Sequence, residues 1–282
     1  MKRRLSALAL LALFAALPAQ AQDVRLYAGT EGAEAAPPAY TGDEALAQQL
    51  NNPLATLITV PIQNNFDYGL GRNRDGFRYT AVAQPVLPFQ LNADWNIITR
   101  TVIPFAHLER VAPDHETGLG DTLASAWISP ARPTSWGLTW GVGPAILVPT
   151  GTNRFTSTRQ YAAGPTAVAV LTRGPWIGLV LANHIWSLGG TPDDRERVSQ
   201  SFVQAAIAYT TPQRTTYFVS TESTYNATAG QWTVPIQAGV NQLLRVGTQP
   251  IQLGGLVRYY AERPEGGSRW GFQLRLTLVF QR

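Results

Sequence analysis

The chain has 282 residues, 45% of them hydrophobic and 14% charged, with 22 basic residues against 18 acidic ones. It has no cysteine, which excludes disulfides, thiolate metal sites, iron–sulfur clusters and cysteine nucleophiles. Its 25 glycines and 20 prolines argue against a helical bundle, and after the first twenty residues no run is apolar enough for a spanning helix, which needs about 18 residues.

The N-terminus reads as a secretory signal peptide over residues 1–21. Lys2, Arg3 and Arg4 are the positive region, Leu5 to Leu17 the apolar region, and Ala19-Gln20-Ala21 an A-x-A cleavage site. The mature chain then begins at Gln22 and keeps 19 basic residues against 18 acids. Such a near-neutral chain has no clustered basic footprint for nucleic acid. Residues 22–53 form a separate N-terminal segment, rich in Ala, Gly and Pro up to Tyr40. Thr41 to Glu44 fits a T-x-x-E capping box. Two readings stay open for the stretch from there to Leu50: a short helix, with Leu46 and Leu50 on one face, or an unstructured tail. Pro53 ends the segment.

From Leu54 the hydrophobic period becomes two. Ile58, Val60, Ile62 and Phe66 alternate with Thr59, Gln63, Asn65 and Asp67. Phe77, Tyr79, Ala81 and Ala83 alternate with Arg78, Thr80, Val82 and Gln84. Trp136 through Val148 alternates with small residues, and Trp232 through Val240 and Ile251 through Tyr259 repeat the pattern. The last segment is clearest, with Trp270, Phe272, Leu274, Leu276, Leu278 and Phe280 on one face and mostly polar residues on the other. Read this way, residues 54–282 hold about twelve strands, each long enough to cross a bilayer tilted.

The connections alternate in length. Short turns fall near Asn92-Ala93-Asp94, Arg132-Pro133-Thr134, Arg173-Gly174-Pro175, Pro212-Gln213 and Gly247-Thr248-Gln249. Longer, more charged connections run from His107 to Gly120, Gly151 to Tyr161 and Gly189 to Arg197. Tyr68, Phe77, Tyr225, Trp232, Tyr259 and Trp270 lie beside the long loops, and Phe89, Trp95 and Trp136 beside the short turns. Two aromatic belts with unequal loops predict an all-β fold, a transmembrane antiparallel β-barrel of the outer-membrane type. A soluble β-sandwich explains the alternation but not the belts. Pro61, Pro85, Pro104, Pro144 and Pro235 fall inside proposed strands, where they predict bulges or ladder interruptions.

By alternation the inward face carries Arg78, Arg100, Arg258 and Arg275, with Asp67 and Glu222 as acids and a set of Gln and Asn side chains. Two roles are open for it: an anion-favouring lumen, or an internal ion-pair network filling a narrow barrel. His184 is expected as a hydrogen-bonded lumen residue. Asn183, His184 and Ser187 resemble parts of a hydrolase set, but His184 and Ser187 are three apart on a strand and point to opposite faces. The stretch from His107 to Asp121 adds Glu109, Asp114, His115 and Glu116, without regular ligand spacing, and reads as an external loop that either stays solvated or folds inward. H-E-x-x-H, G-x-S-x-G and phosphate-loop motifs are all missing. No enzyme activity, cofactor or metal site is therefore expected.

Several runs together resemble a known family. They include Val60-Pro61-Ile62-Gln63-Asn64-Asn65-Phe66, Gln84-Pro85-Val86-Leu87-Pro88-Phe89, Asp94-Trp95-Asn96-Ile97-Ile98-Thr99-Arg100, Gly118-Leu119-Gly120-Asp121, Trp140-Gly141-Val142-Gly143-Pro144, Ala182-Asn183-His184-Ile185-Trp186-Ser187 and Gln231-Trp232-Thr233-Val234-Pro235-Ile236. The set is similar to the bacterial outer-membrane channel-like proteins grouped with the phenol meta-cleavage pathway, often labelled transporters or neuromedin U. The resemblance implies a Gram-negative outer-membrane address and passage of small-molecule solutes. The partners expected are outer-membrane lipid and the barrel assembly machinery. At the C-terminus the last aromatic, Phe280, is followed by Gln281 and Arg282, a departure from the usual barrel ending. The alternatives in function are a plugged structural barrel without transport and a barrel-borne lipid hydrolase.

Overall fold

A computed structural model describes residues 42–111, 115–189 and 195–280. The expected signal peptide and Asp114 lie outside the described residues. One short helix, α1 (Asp43–Gln49), precedes the strands β1 (Ile58–Leu70), β2 (Gly76–Ala83), β3 (Val86–Gln90), β4 (Trp95–Glu109), β5 (Glu116–Leu119), β6 (Thr122–Pro130) and β7 (Leu138–Val148). After these come β8 (Ala162–Arg173), β9 (Trp176–Ser187), β10 (Ser199–Thr210), β11 (Thr215–Asn226), β12 (Gln231–Val246), β13 (Gln249–Glu262) and β14 (Trp270–Phe280).

All pairings are antiparallel, and β14 pairs with β1 from Ile58↔Phe280 to Tyr68↔Trp270, so the sheet closes on itself. Two of the twelve wall passes are each split into two segments. β2 and β3 share one pass between β1 and β4, and β5 and β6 share another beside β4. Closure leaves no strand edge, which is what lets a sheet stand in hydrocarbon.

The prolines act in different ways. Pro85 separates β2 from β3, and its carbonyl accepts the Thr101 N–H at 3.1 Å. Pro235 sits at a register shift between β12 and β13. Pro61 stays in register within β1, and its carbonyl accepts the Gln84 N–H at 2.9 Å. Pro144 faces Pro165 across β7 and β8, so neither donates to that ladder. The β6–β7 and β8–β9 registers are discontinuous beside them.

The short connections at one rim turn with few residues. Gly247 takes φ 61, which glycine adopts without strain, whereas Arg214 takes φ 67 with a Cβ present. At the other rim the longest described connection, 149–161, is knitted by Asp121. That carboxylate accepts the N–H of Gly151 at 3.1 Å and the N–H and hydroxyl of Thr158 at 2.6 and 2.7 Å.

Apolar side chains cover the outside. Val219, Ile236, Val257 and Leu274 are all more than half exposed. Tyr68 stacks on Trp270 at 4.7 Å and Tyr225 lies 4.9 Å from Trp232 toward the long-loop rim. Trp176 meets Tyr209 edge-on at 4.9 Å toward the short-turn rim, where Trp136 and Phe89 are also exposed. Gln63, Asn65, Asp67, Gln237, Asn241, Gln252 and Gln273 are meanwhile buried inside. Greasy outside and polar inside inverts the arrangement of a water-soluble domain.

Candidate functional site: the barrel lumen

The N-terminal segment enters the lumen from the short-turn rim. Helix α1 starts at Gly42 without a side-chain cap, while Thr41 of the expected capping box lies outside the described residues. Leu46 and Ala47 are buried against Leu243 and Val279 of the wall. The Asn51 amide donates to Thr216 Oγ1 at 3.3 Å, and Gln48 donates to the Gly174 carbonyl. At the helix start, Asp43 accepts hydrogen bonds from Arg214 at 2.9 Å and from Arg245 Nε at 3.0 Å. The Arg245 hydrogen bond is the largest cause holding the Asp43 carboxyl below its usual 3.8, with Arg214 adding to it against a desolvation cost.

Beyond the helix, Leu54 joins Val86, Ile98, Trp127, Val168, Val170, Ile177, Leu179 and Leu181 in one buried cluster. Alternation marks the inward face as polar, but on β8 and β9 that face is largely aliphatic, and the apolar cluster extends to Ile98 of β4 and Trp127 of β6. The signal is present in runs such as Ala167–Leu171 and Ile177–Ala182, which are apolar on both faces. Buried within this wall, the Trp127 indole N–H donates to Thr166 Oγ1 at 3.1 Å.

The remainder of the lumen carries the charges, in two groups. Toward the long-loop rim, Asp67 is 2% exposed and accepts from Arg78 Nη2 and from the Tyr260 hydroxyl, each at 2.9 Å. Arg258 Nη1 lies 4.0 Å from the same carboxylate, and its Nη2 donates to Asn65 Oδ1 at 2.7 Å. Asn65 also accepts from Gln273 at 2.8 Å, and Gln273 in turn accepts from Arg275 at 2.9 and 3.1 Å. Around Arg78, Arg258 and Asp67 these contacts make an ion-pair network, one of the two arrangements left open by the sequence.

Arg100 and Arg275 are placed differently. Each is held by an amide oxygen rather than a carboxylate: Arg100 by Gln84, with Nε at 3.1 Å, and Arg275 by Gln273. Glu222, which accepts from Gln204 at 3.3 Å, lies within electrostatic reach of both arginines. These three line a chamber of about 160 Å³ together with Gln63, Gln237 and Gln252, and residues 49–55 form its floor.

His184 is not a lumen residue, contrary to expectation. It shares the outward face of β9 with Trp186, whose ring lies 4.4 Å away, while Ile185 and Leu181 point inward. Its Nδ1 is 2.7 Å from the hydroxyl of Ser201, the residue opposite on β10. The physical reason is phase. Asn183 aligns with inward Thr166, so its neighbour must turn out. Ser187 is elsewhere, donating to Gln160.

Among the described residues no group of three or more His, Asp or Glu side chains could hold a metal ion. In the long-loop stretch, His107 Nδ1 instead pairs with Thr117 Oγ1 at 2.6 Å and its ring stacks on His115.

These features define the class of fold, a closed twelve-strand barrel of the outer-membrane type with a partly filled, partly charged lumen. In fold the chain is similar to the outer-membrane channel of Pseudomonas putida, with a TM-score of 0.65 and 15% identity over 80% of this chain and 97% of that one. More remote matches are the Salmonella typhi outer-membrane phospholipase, at TM-score 0.46 and 14% identity over 83% and 96% of the two chains, and the β-domain of the Bordetella autotransporter BrkA, at 0.46 and 10% over 80% and 100%. No family model and no curated protein matches the sequence.

Proposed function

We propose that this protein is an outer-membrane channel that passes small solutes through a polar, arginine-containing lumen, with its N-terminal segment acting as a closure on the periplasmic side. The carrying observation is the inversion of polarity: an exposed apolar band between two aromatic belts surrounds a lumen that buries Asp, Gln and Asn and is lined by Arg and Glu. The likeness in fold to a channel and the resemblance of the sequence runs support the same reading, including a link to the phenol meta-cleavage group. In this reading residues 1–21 are a cleaved signal, residues 22–53 lie on the periplasmic side with residues 42–53 seated in the barrel mouth, and the long loops face outside the cell. The chain needs no cofactor, and the lumen residues that meet solute include Arg100, Arg275 and Glu222.

A second reading has its own support. Leu46, Ala47 and Leu54 are packed against the wall, as in a barrel that is permanently plugged. Liposome swelling separates the two. A channel admits small sugars in the wild type or once the Asp43 contacts are removed by Asp43→Asn. A structural barrel excludes them in both.

A further inference from the structure

Two of the residues lining the chamber carry buried amide donors without a partner. Gln237 and Gln252 are 2% and 3% exposed, and the Nε2 of each has no hydrogen-bond partner. A buried donor left unpaired is costly, and both of these residues belong to the lining of one cavity. The same cavity is lined by Arg100 and Arg275, whose described partners are neutral amides, and by a single acid, Glu222. Two guanidiniums against one carboxylate leave one uncompensated positive charge. The lining also includes Val86, the register partner of Arg100, with Ile177, Leu179 and Phe218.

We propose that this chamber is a binding site for a small monocarboxylate with a hydrocarbon body. The charge fits one negative group. A carboxylate offers two oxygens that accept several hydrogen bonds, which matches the orphaned amides and the arginine N–H groups. The apolar part of the lining fits a short apolar chain or ring. The volume of about 160 Å³ is close to that of a dry protein cavity that holds benzene, roughly 150 Å³. A ligand of about six to nine non-hydrogen atoms fits this space. Inorganic anions lack the apolar body, and alcohols lack the charge.

The proposal rests on the lumen being the solute's path, but it is read at equilibrium without transport. Hexanoate is titrated calorimetrically into the folded full-length mature protein in detergent, with acetate and hexanol as comparators. The expected result is saturable hexanoate binding, at least about tenfold tighter than either comparator. Arg275→Gln and Arg100→Gln each weaken it about tenfold or more, while Arg275→Lys, which keeps the charge, stays within about fivefold of wild type. Heat-modifiable migration on unboiled gels confirms that each variant is folded. No hexanoate binding, equal binding of hexanol, or equal binding by the folded Arg→Gln variants overturns the site. Swelling with a neutral sugar reports on the channel separately. Binding without swelling in wild type and Asp43→Asn leaves the site standing and removes the channel. Swelling without binding does the reverse.

Discussion

The Tyr260 hydroxyl donates to Asp67 Oδ1 at 2.9 Å, while Arg78 takes the other oxygen of the same carboxylate at the same distance. Asp67 thus joins β1, β2 and β13 from inside, and it is the buried counter-charge for two arginines. Asp67→Asn leaves those arginines without it. The expected cost is about 3–5 kcal/mol of unfolding free energy, the range for breaking a buried pair from one side. Tyr260→Phe removes one charge-assisted hydrogen bond and costs about 1.5–3 kcal/mol. Denaturant titration of the detergent-folded barrel checks both, and equal midpoints for Asp67→Asn and wild type would refute the hub.

At the short-turn rim Asp43 is bound by two arginines, and its carboxyl is held below the ordinary value. An acid with a depressed folded pKa contributes stability above its unfolded pKa and loses it as pH falls through the folded value. The closure is therefore expected to hold from pH 7 down to about 5 and to loosen only below roughly 4. Single-channel recordings across that range check this, and Asp43→Asn is expected to raise the open fraction between pH 5 and 7 and to converge with wild type at lower pH. Opening between pH 7 and 5 in the wild type would contradict it.

Replacing Arg100 by Gln removes a lumen charge that no carboxylate neutralises by direct contact. The expected outcome is a reversal potential shifted away from anion preference under a salt gradient in planar bilayers, because ion preference follows the fixed charges lining a pore. An unchanged conductance and reversal potential would remove selectivity from this residue and leave the fold intact.

Leu274 stands near the middle of β14 and is 54% exposed on the outer face. If hydrocarbon surrounds that face, Leu274→Arg costs about 2–4 kcal/mol, the range for arginine at a bilayer midplane. A cost under about 0.5 kcal/mol, typical of a water-exposed surface position, would argue against immersion.

His184 and Ser201 form a hydrogen-bonded pair on the outward face. The other ring nitrogen of His184 lies 3.5 Å from the Ser199 hydroxyl rather than against a carboxylate. A His–Ser pair without an orienting third group lacks the usual arrangement for nucleophile activation. Purified protein is therefore expected to release no fatty acid from phospholipid, and His184→Ala to change nothing. Hydrolysis that disappears in His184→Ala would replace the channel reading with an enzymatic one.

The strand pattern is legible because β13 and β14 alternate strictly, with Val257 and Tyr259 out and Arg258 and Tyr260 in. The Asp67 network is legible for the same reason, since Arg78 and Asp67 are register partners with like phase. Phase fails at His184, where β9 is apolar on both faces and nothing in Ile177–Ala182 says which side is in. The aliphatic half of the lumen is hidden for the same cause. Neither can the tertiary course of residues 50–57 be read from period. What seats Leu54 beside Trp127 is the vacant interior of a ring, which no local pattern encodes.

Pairing of β14 with β1 over Ile58–Tyr68 also fixes an order of events. β1 finds this partner only once β14, at the far end of the strand order, has formed. Helix α1, lying just ahead of β1 and packed against Val279 of β14, is in place to be sealed inside when those two ends of the wall finally meet. A truncation that deletes β14 thus removes both the ring's seam and part of the surface that α1 packs against.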